Sequence, residues 1–386
     1  MTSLQDRAAL VAAVAAQYTE QVDRDGRFPT EALRAMKEHR LLSAFIPKEF
    51  GGEGAALADI ADVVSILSQS CGSTGMVYAM HQIKTSSLVT HGGASAWHRA
   101  FMERICDEQL LLGSATTEGG GIGGNLRNSI CAVERKGERF SLEKVGALIS
   151  YGIQSDAILI TARSGPDAPP SDQVMAVFTK DQYTLEQTMK WDALGMRGTC
   201  SDGFTFRGEG DAAQIFPNDF GDIAAKSMLP ICHILWSAVW YGVAYAAFAR
   251  AQNFVRAEAR RTPNVVPPGA LRVAEAANML QLMKSNTTAA IHRFEKAEQG
   301  GEDLGSVGFI VAMNNVKIGA SRMACDVINH AMLITGINGY RNDTPYSVGR
   351  HMRDAMSAPI MISNDRIFGN MSNLLLMHRI EPSLVA

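Results

Sequence analysis

The sequence predicts an α+β multidomain protein: an N-terminal all-α domain over residues 1–112, a middle antiparallel β-barrel over 113–215 and a C-terminal four-helix bundle over 216–386. Apolar residues recur at helical spacing up to residue 110 or so and again beyond 216. Between those blocks the period drops to two, in short β-branched and aromatic runs separated by turn residues. At 386 residues and 46% hydrophobic, the chain has material for two or three separate cores.

In the first block, LADIADVVSILSQS and SAWHRAFMERICDEQLL carry the helical period, Ser3 and Thr30 fit helix N-caps, and Gly51-Gly52 and Gly92-Gly93 mark breaks. The middle block reads SICAVERKGERFSLEKV, DAILITARS, DQVMAVFTK, YTLEQTM and GFTFRGEG, with turns at Lys136-Gly137 and in SGPDAPPSD. No helical pattern interrupts these runs, so they close on one another as a compact antiparallel barrel or sandwich. The last block offers long helices at 224–261, 268–299, 306–335 and 345–378, which fit an antiparallel bundle.

Composition excludes several functions. A net charge of −3 with no basic block argues against nucleic acid as a partner. The six cysteines are scattered with no CxxC pair, and no histidine cluster has metal-ligand spacing, so neither a disulfide framework nor a metal site is expected. Free thiols and the absence of a basic-then-apolar leader in MTSLQDRAALVAAVAAQ suit a cytoplasmic protein. LPICHILWSAVWYGVAYAAF, residues 229–248, is long enough to span a bilayer, with His233 its one titratable group besides a thiol and two phenols. It is the sole such run and continues into the Arg-rich ARAQNFVRAEARR, as the central helix of a bundle does, so no membrane is expected.

Chemistry concentrates in a few stretches. GSATTEGGGIGGNLRNS (113–129) surrounds Thr116, Thr117 and Glu118 with glycine, but has neither the GxGxxG context nor the lysine of a phosphate loop. Read alone it is either a close-approach ligand loop or a linker. The stretches EKVGALISYG, SDAILITA and ALGMRGTCS follow in order, with IPKEFGGEG (46–54) before them and TGINGYRNDTP and RHMRDA after. In this order and spacing the chain resembles the acyl-CoA dehydrogenase family of flavoproteins over most of its length.

The resemblance implies FAD held between the β domain and the C-terminal bundle, with Ser114, Thr116, Thr117, Leu148 and Ser150 beside the flavin. It also implies an acyl-CoA or related substrate, an electron acceptor such as an electron-transfer flavoprotein, and a homo-oligomer, dimer or tetramer. Departures accompany it. Gly123 stands where the family has a serine contact, Leu333 where it has a glutamine, and ARRTPNVVPPG replaces a segment whose arginine and phenylalanine touch the neighbouring subunit's FAD. Arg260 or Arg261 offers a substitute phosphate contact.

The largest departure concerns the catalytic base. The resemblance puts a glutamate nine residues after the arginine of RDA, and here that is Ile362. A minority of members place it in the first bundle helix, where this chain has Cys232 with His233 beside it. Two substitutes are named as catalytic candidates. His233 has an imidazole suited to proton transfer near neutral pH. Asp365 lies three residues beyond Ile362, about 4.5 Å along a helix; as a surface or capping acid it would have no such role. The expected function is desaturation of an acyl thioester through a non-standard base. Alternatives are a flavin-dependent monooxygenase of the same fold, which needs no α-proton acceptor, and a catalytically silent acyl-CoA-binding subunit.

Overall fold

The structure, a computed structural model, describes residues 2–119, 126, 128–380 and 382–383. Five helices open the chain: α1 (Leu4–Asp25), α2 (Thr30–Glu38), α3 (Leu57–Ser70), α4 (Gly72–His91) and α5 (Ala96–Glu108). Ser3 caps α1 as expected, accepting from the Asp6 amide while the Asp6 carboxylate answers the Ser3 amide. At α2 the cap position falls on Pro29, and Thr30 is the first helical residue. One position is within the usual variation of helix ends.

Seven strands follow: β1 (Leu112–Ala115), β2 (Glu134–Lys136), β3 (Arg139–Ser150), β4 (Ala157–Arg163), β5 (Gln173–Thr179), β6 (Tyr183–Met189) and β7 (Ser201–Asp211). They form a three-stranded sheet, β1-β4-β5, and a four-stranded sheet, β2-β3-β7-β6. Their inner faces enclose Phe140, Phe178, Phe204 and Phe206. Every pairing is antiparallel except β1 with β4. β1 escaped the sequence reading because LGSA is short and has no alternating apolar residues. It becomes a strand only by lying along β4.

The C-terminal part comprises α6 (Phe220–Ile223), a π-helical segment Ala224–Met228, α7 (Leu229–Arg261), α8 (Ala270–Lys296), α9 (Val307–Thr335), α10 (Ile337–Tyr340), α11 (Gly349–Ala355) and α12 (Asn364–Met377). α7 is the hub, packing against α3, α4, α8 and α9. The continuous helix Phe220–Arg261 is long and apolar enough to cross a membrane, yet 89% of its most apolar window is buried within the fold. The fourth bundle helix anticipated over 345–378 is broken between Ala355 and Asn364. Pro359 removes a donor from that interval, and Ser363 starts α12 afresh by accepting from the Arg366 amide.

Candidate functional site at the barrel–bundle seam

The outer face of β3 and the start of the glycine-rich loop meet directly. A register shift between Gly146 and Ile149 turns Ile149 into the barrel core and leaves Leu148 40% exposed. The Thr117 hydroxyl donates to the Leu148 carbonyl at 3.0 Å, and the Gly119 amide donates to Val145 at 3.1 Å. Two residues along the same face, the Ser150 hydroxyl shares a 2.8 Å bond with Ser201, itself 2.8 Å from the Thr199 hydroxyl. Ser114 and Thr116 are half-buried at the end of β1 and just beyond it. Thr117, Leu148 and Ser150 therefore form one edge: an apolar side chain between hydroxyls. Gly123 lies outside the described residues.

Glu118 anchors this loop. Its carboxylate pairs with Lys144 at 2.9 Å, both side chains being buried, and accepts from the Ile130 amide and the Cys131 thiol. Lys144 also donates to the Thr161 carbonyl at 2.6 Å. Burial alone would raise the Glu118 pKa, but the Lys144 ammonium and these bonds hold it below the usual carboxylate range.

The barrel is joined to the helices through the ALGMRGTCS and RHMRDA stretches. The Met196 amide donates to Asp354 at 2.7 Å, Arg197 donates to the Asp23 carbonyl at 2.8 Å, and Arg353 pairs with Asp23. A Cβ on Gly195 would sit 2.1 Å from the Arg353 carbonyl oxygen, so only glycine allows this approach. MRG and RDA thus clasp one another.

Two positions are candidates for a base. His233, on α7, is buried; its Nδ1 is 3.2 Å from the Met313 carbonyl, which makes Nδ1 the protonated nitrogen and leaves Nε2 without a partner among the described residues. Burial pushes its pKa down to about 4, opposed by the Met313 carbonyl and aided to a smaller degree by the Lys317 charge. Asp365 is exposed in the first turn of α12, and its neighbour Asn364 is the residue that turns inward. Ile362 adopts φ 49°, a left-handed backbone that β-branched residues rarely enter. Its carbonyl accepts from Lys317 Nζ at 2.5 Å, alongside Ala358 O at 3.0 Å and Asn364 Oδ1 at 2.7 Å. Lys317 also lies over the Trp240 ring, 5.5 Å from its centroid.

The sequence reading missed two buried lysines. Lys317 on α9 and Lys84 on α4 both lie within electrostatic reach of Cys232, whose thiol burial pushes up to about 12. The signal was available, since each is a lone cation inside an apolar helical stretch, VAMNNVKIGA and MHQIKTSSLV.

The acyl-CoA dehydrogenase N-terminal domain family matches residues 4–109, and the acyl-CoA dehydrogenase C-terminal domain family matches residues 223–363, together well over half of the chain. The chain belongs to the acyl-CoA dehydrogenase family. It is 21% identical over 351 residues to the cyclohex-1-ene-1-carbonyl-CoA dehydrogenase of Syntrophus aciditrophicus, covering 90% of this chain and 82% of that protein. Among solved structures, FMN-bound TdsC from Paenibacillus sp. A11-2, a dibenzothiophene monooxygenase, superposes with a TM-score of 0.85 at 19% identity, over 99% of this chain and 100% of that one. Butyryl-CoA dehydrogenase from Megasphaera elsdenii gives a TM-score of 0.77 at 18% identity, over 97% and 99%. The acyl-CoA dehydrogenase fold is a flavoprotein fold. The edge made by Thr117, Leu148 and Ser150 suits a flavin, because an exposed apolar side chain can back a flat heteroaromatic ring while hydroxyls meet its polar rim.

Proposed function

We propose that this acyl-CoA dehydrogenase family protein is a cytoplasmic FAD-dependent oxidoreductase that desaturates an acyl thioester between its α- and β-carbons. The observation that carries this reading is the fixed tautomer of His233. The Met313 carbonyl holds Nδ1–H, so the buried Nε2 carries a lone pair with no bond to break before it accepts a proton. Its depressed pKa keeps the imidazole uncharged at neutral pH, at the expense of base strength. Asp365, exposed in the first turn of α12, is the weaker candidate. Ser114, Thr116, Thr117, Leu148 and Ser150 would hold the flavin ring, which when bound supplies the hydride acceptor for the β-carbon. Leu333, Ile337 and Tyr340, 54%, 67% and 73% exposed at one end of the bundle, support a homo-oligomer. An electron-transfer flavoprotein would reoxidise the enzyme.

The test is anaerobic mixing of the flavin-loaded protein with a panel of acyl-CoAs. Bleaching of the visible flavin band that is lost in His233→Ala supports the reading; unchanged bleaching rates in that variant sink the base assignment. A second reading, a flavin-dependent monooxygenase, draws on a different observation: neither Ile362 nor Cys232 supplies a carboxylate, and that chemistry needs none. Oxygen consumption with reduced flavin and a hydroxylated product, without anaerobic bleaching, would favour it.

A further inference from the structure

The end of α1, the 193–197 segment and the 342–353 segment enclose a cleft of about 630 Å³, the size of a small-molecule site. None of the flavin-edge residues lines it, nor does His233. Its walls carry four guanidiniums, Arg24, Arg197, Arg350 and Arg353, against two carboxylates, Glu20 and Asp23. Asp25 and Asp192 meet Arg24 and Arg197 at 3.1 and 3.2 Å, but both carboxylates are exposed, and such pairs are weak.

The most enclosed of the lining residues are Arg350 and His351, 6% and 2% exposed. Arg350 meets Glu20 through Nε at 3.3 Å and Asp354 through Nη1 at 3.8 Å, while its buried Nη2 has no acceptor among the described residues. Arg250 Nη1 lies 3.2 Å from His351 Nε2. A guanidinium only donates, so Nε2 accepts and the imidazole proton sits on Nδ1, which also lacks a partner among the described residues. Burial and the charges of Arg350, Arg250 and Arg353 hold that imidazole neutral. Two consecutive residues thus each keep a buried N–H unspent, a costly state until an acceptor arrives.

A phosphoryl group fits this demand. It brings three oxygens and about two negative charges, which match the surplus of four guanidiniums over two carboxylates, and guanidinium forks suit its geometry. The buried Asp23 Oδ1 has no donor among the described residues, and Asn342 and Ser347 also line the cleft, so groups able to meet hydroxyls stand close by. We propose that the cleft binds the phosphate monoester of a small hydroxylated molecule such as a sugar, with Arg350 and His351 donating to the phosphoryl oxygens and Asp23 accepting from a hydroxyl.

The test is isothermal titration of the purified full chain with ribose 5-phosphate, inorganic phosphate and ribose. Wild type is expected to bind ribose 5-phosphate about tenfold more tightly than inorganic phosphate, and to give no heat with ribose. Arg350→Met should weaken ribose 5-phosphate about tenfold or more. Asn342→Glu, run beside it, sets a carboxylate in the cleft from an exposed position outside the buried network, and should weaken binding as far. That second variant decides the matter if Arg350→Met does not fold. No binding in wild type, or an unchanged affinity in Asn342→Glu, overturns the proposal. Equal affinities for inorganic phosphate and ribose 5-phosphate overturn the monoester and assign a site for the free anion instead.

Discussion

Lys317 Nζ lies 2.5 Å from the carbonyl oxygen of Ile362, the residue standing where the family's usual base glutamate is expected. The segment in which the resemblance led us to expect a carboxylate is here a structural loop. A buried cation gathers two of its carbonyls and fixes Ile362 in a left-handed backbone. The Lys317→Met variant leaves Ala358 O, Ile362 O and Asn364 Oδ1 short of a donor. Urea unfolding is expected to register a loss of about 3 kcal/mol.

Lys84→Met should act in the opposite direction, because it deletes an ammonium whose one polar contact among the described residues is a thioether. The melting temperature is expected to rise, by roughly 1–3 kcal/mol in stability near neutral pH. The sign follows from linkage. A lysine lowered from 10.5 to about 8 carries its full penalty below pH 8. Wild-type stability therefore climbs from about pH 8 to 10.5, as the unfolded chain alone retains the proton. Lys317, lowered to the same value, titrates in that window too, so the measurement is the difference between wild type and Lys84→Met.

Acid should unfold the protein early. Burial draws His81, His98 and His233 each down to about 4 and His351 well below its ordinary value. Unfolded histidines take up protons near pH 6.5, so the stability tied to neutral imidazoles is complete above that pH and drains as pH falls toward 4. His91 is lowered by burial too, while Asp354, raised by burial to about 6, and Glu298, also raised by burial, oppose the trend, two groups against five. Circular dichroism should record a cooperative loss between pH 6.5 and 4. His98→Phe, set beside Trp97 and Phe216, should move the midpoint to lower pH.

Gly195→Ala tests the clasp between barrel and bundle. The new methyl would strike the Arg353 carbonyl and the Asp354 amide, both backbone atoms that cannot swing aside. A loss of about 3 kcal/mol or more is expected, read by thermal melting and by earlier proteolysis at the seam.

Thr117→Val removes the hydroxyl that ties the glycine-rich loop to Leu148 while keeping the side chain's shape. Flavin affinity, followed by absorbance during dialysis, should weaken about tenfold, one hydrogen bond's worth. An unchanged affinity would remove Thr117 from the flavin edge.

Much of the fold was legible because its determinants are local. The helical and two-residue periods marked α1 to α9 and β2 to β7, the Ser3 capping box is written within four residues, and the ordered motifs carried the family. Elements without local pattern escaped. β1 has no alternation of its own and needs β4 beside it. The break before α12 depends on a lysine 45 residues upstream of Ile362.

The site divides in the same way. From the sequence alone came the α-β-α order, and the flavin-edge and base candidates were named there as expectations, since motifs and spacing are properties of contiguous chain. Only the tertiary structure decided which charges lack partners. Lys84 and Met228 are 144 positions apart, and nothing near either one states that the two will meet in a wall without a carboxylate. Burial and pairing are set by what other elements bring to the same place, and that information exists only once the helices have packed.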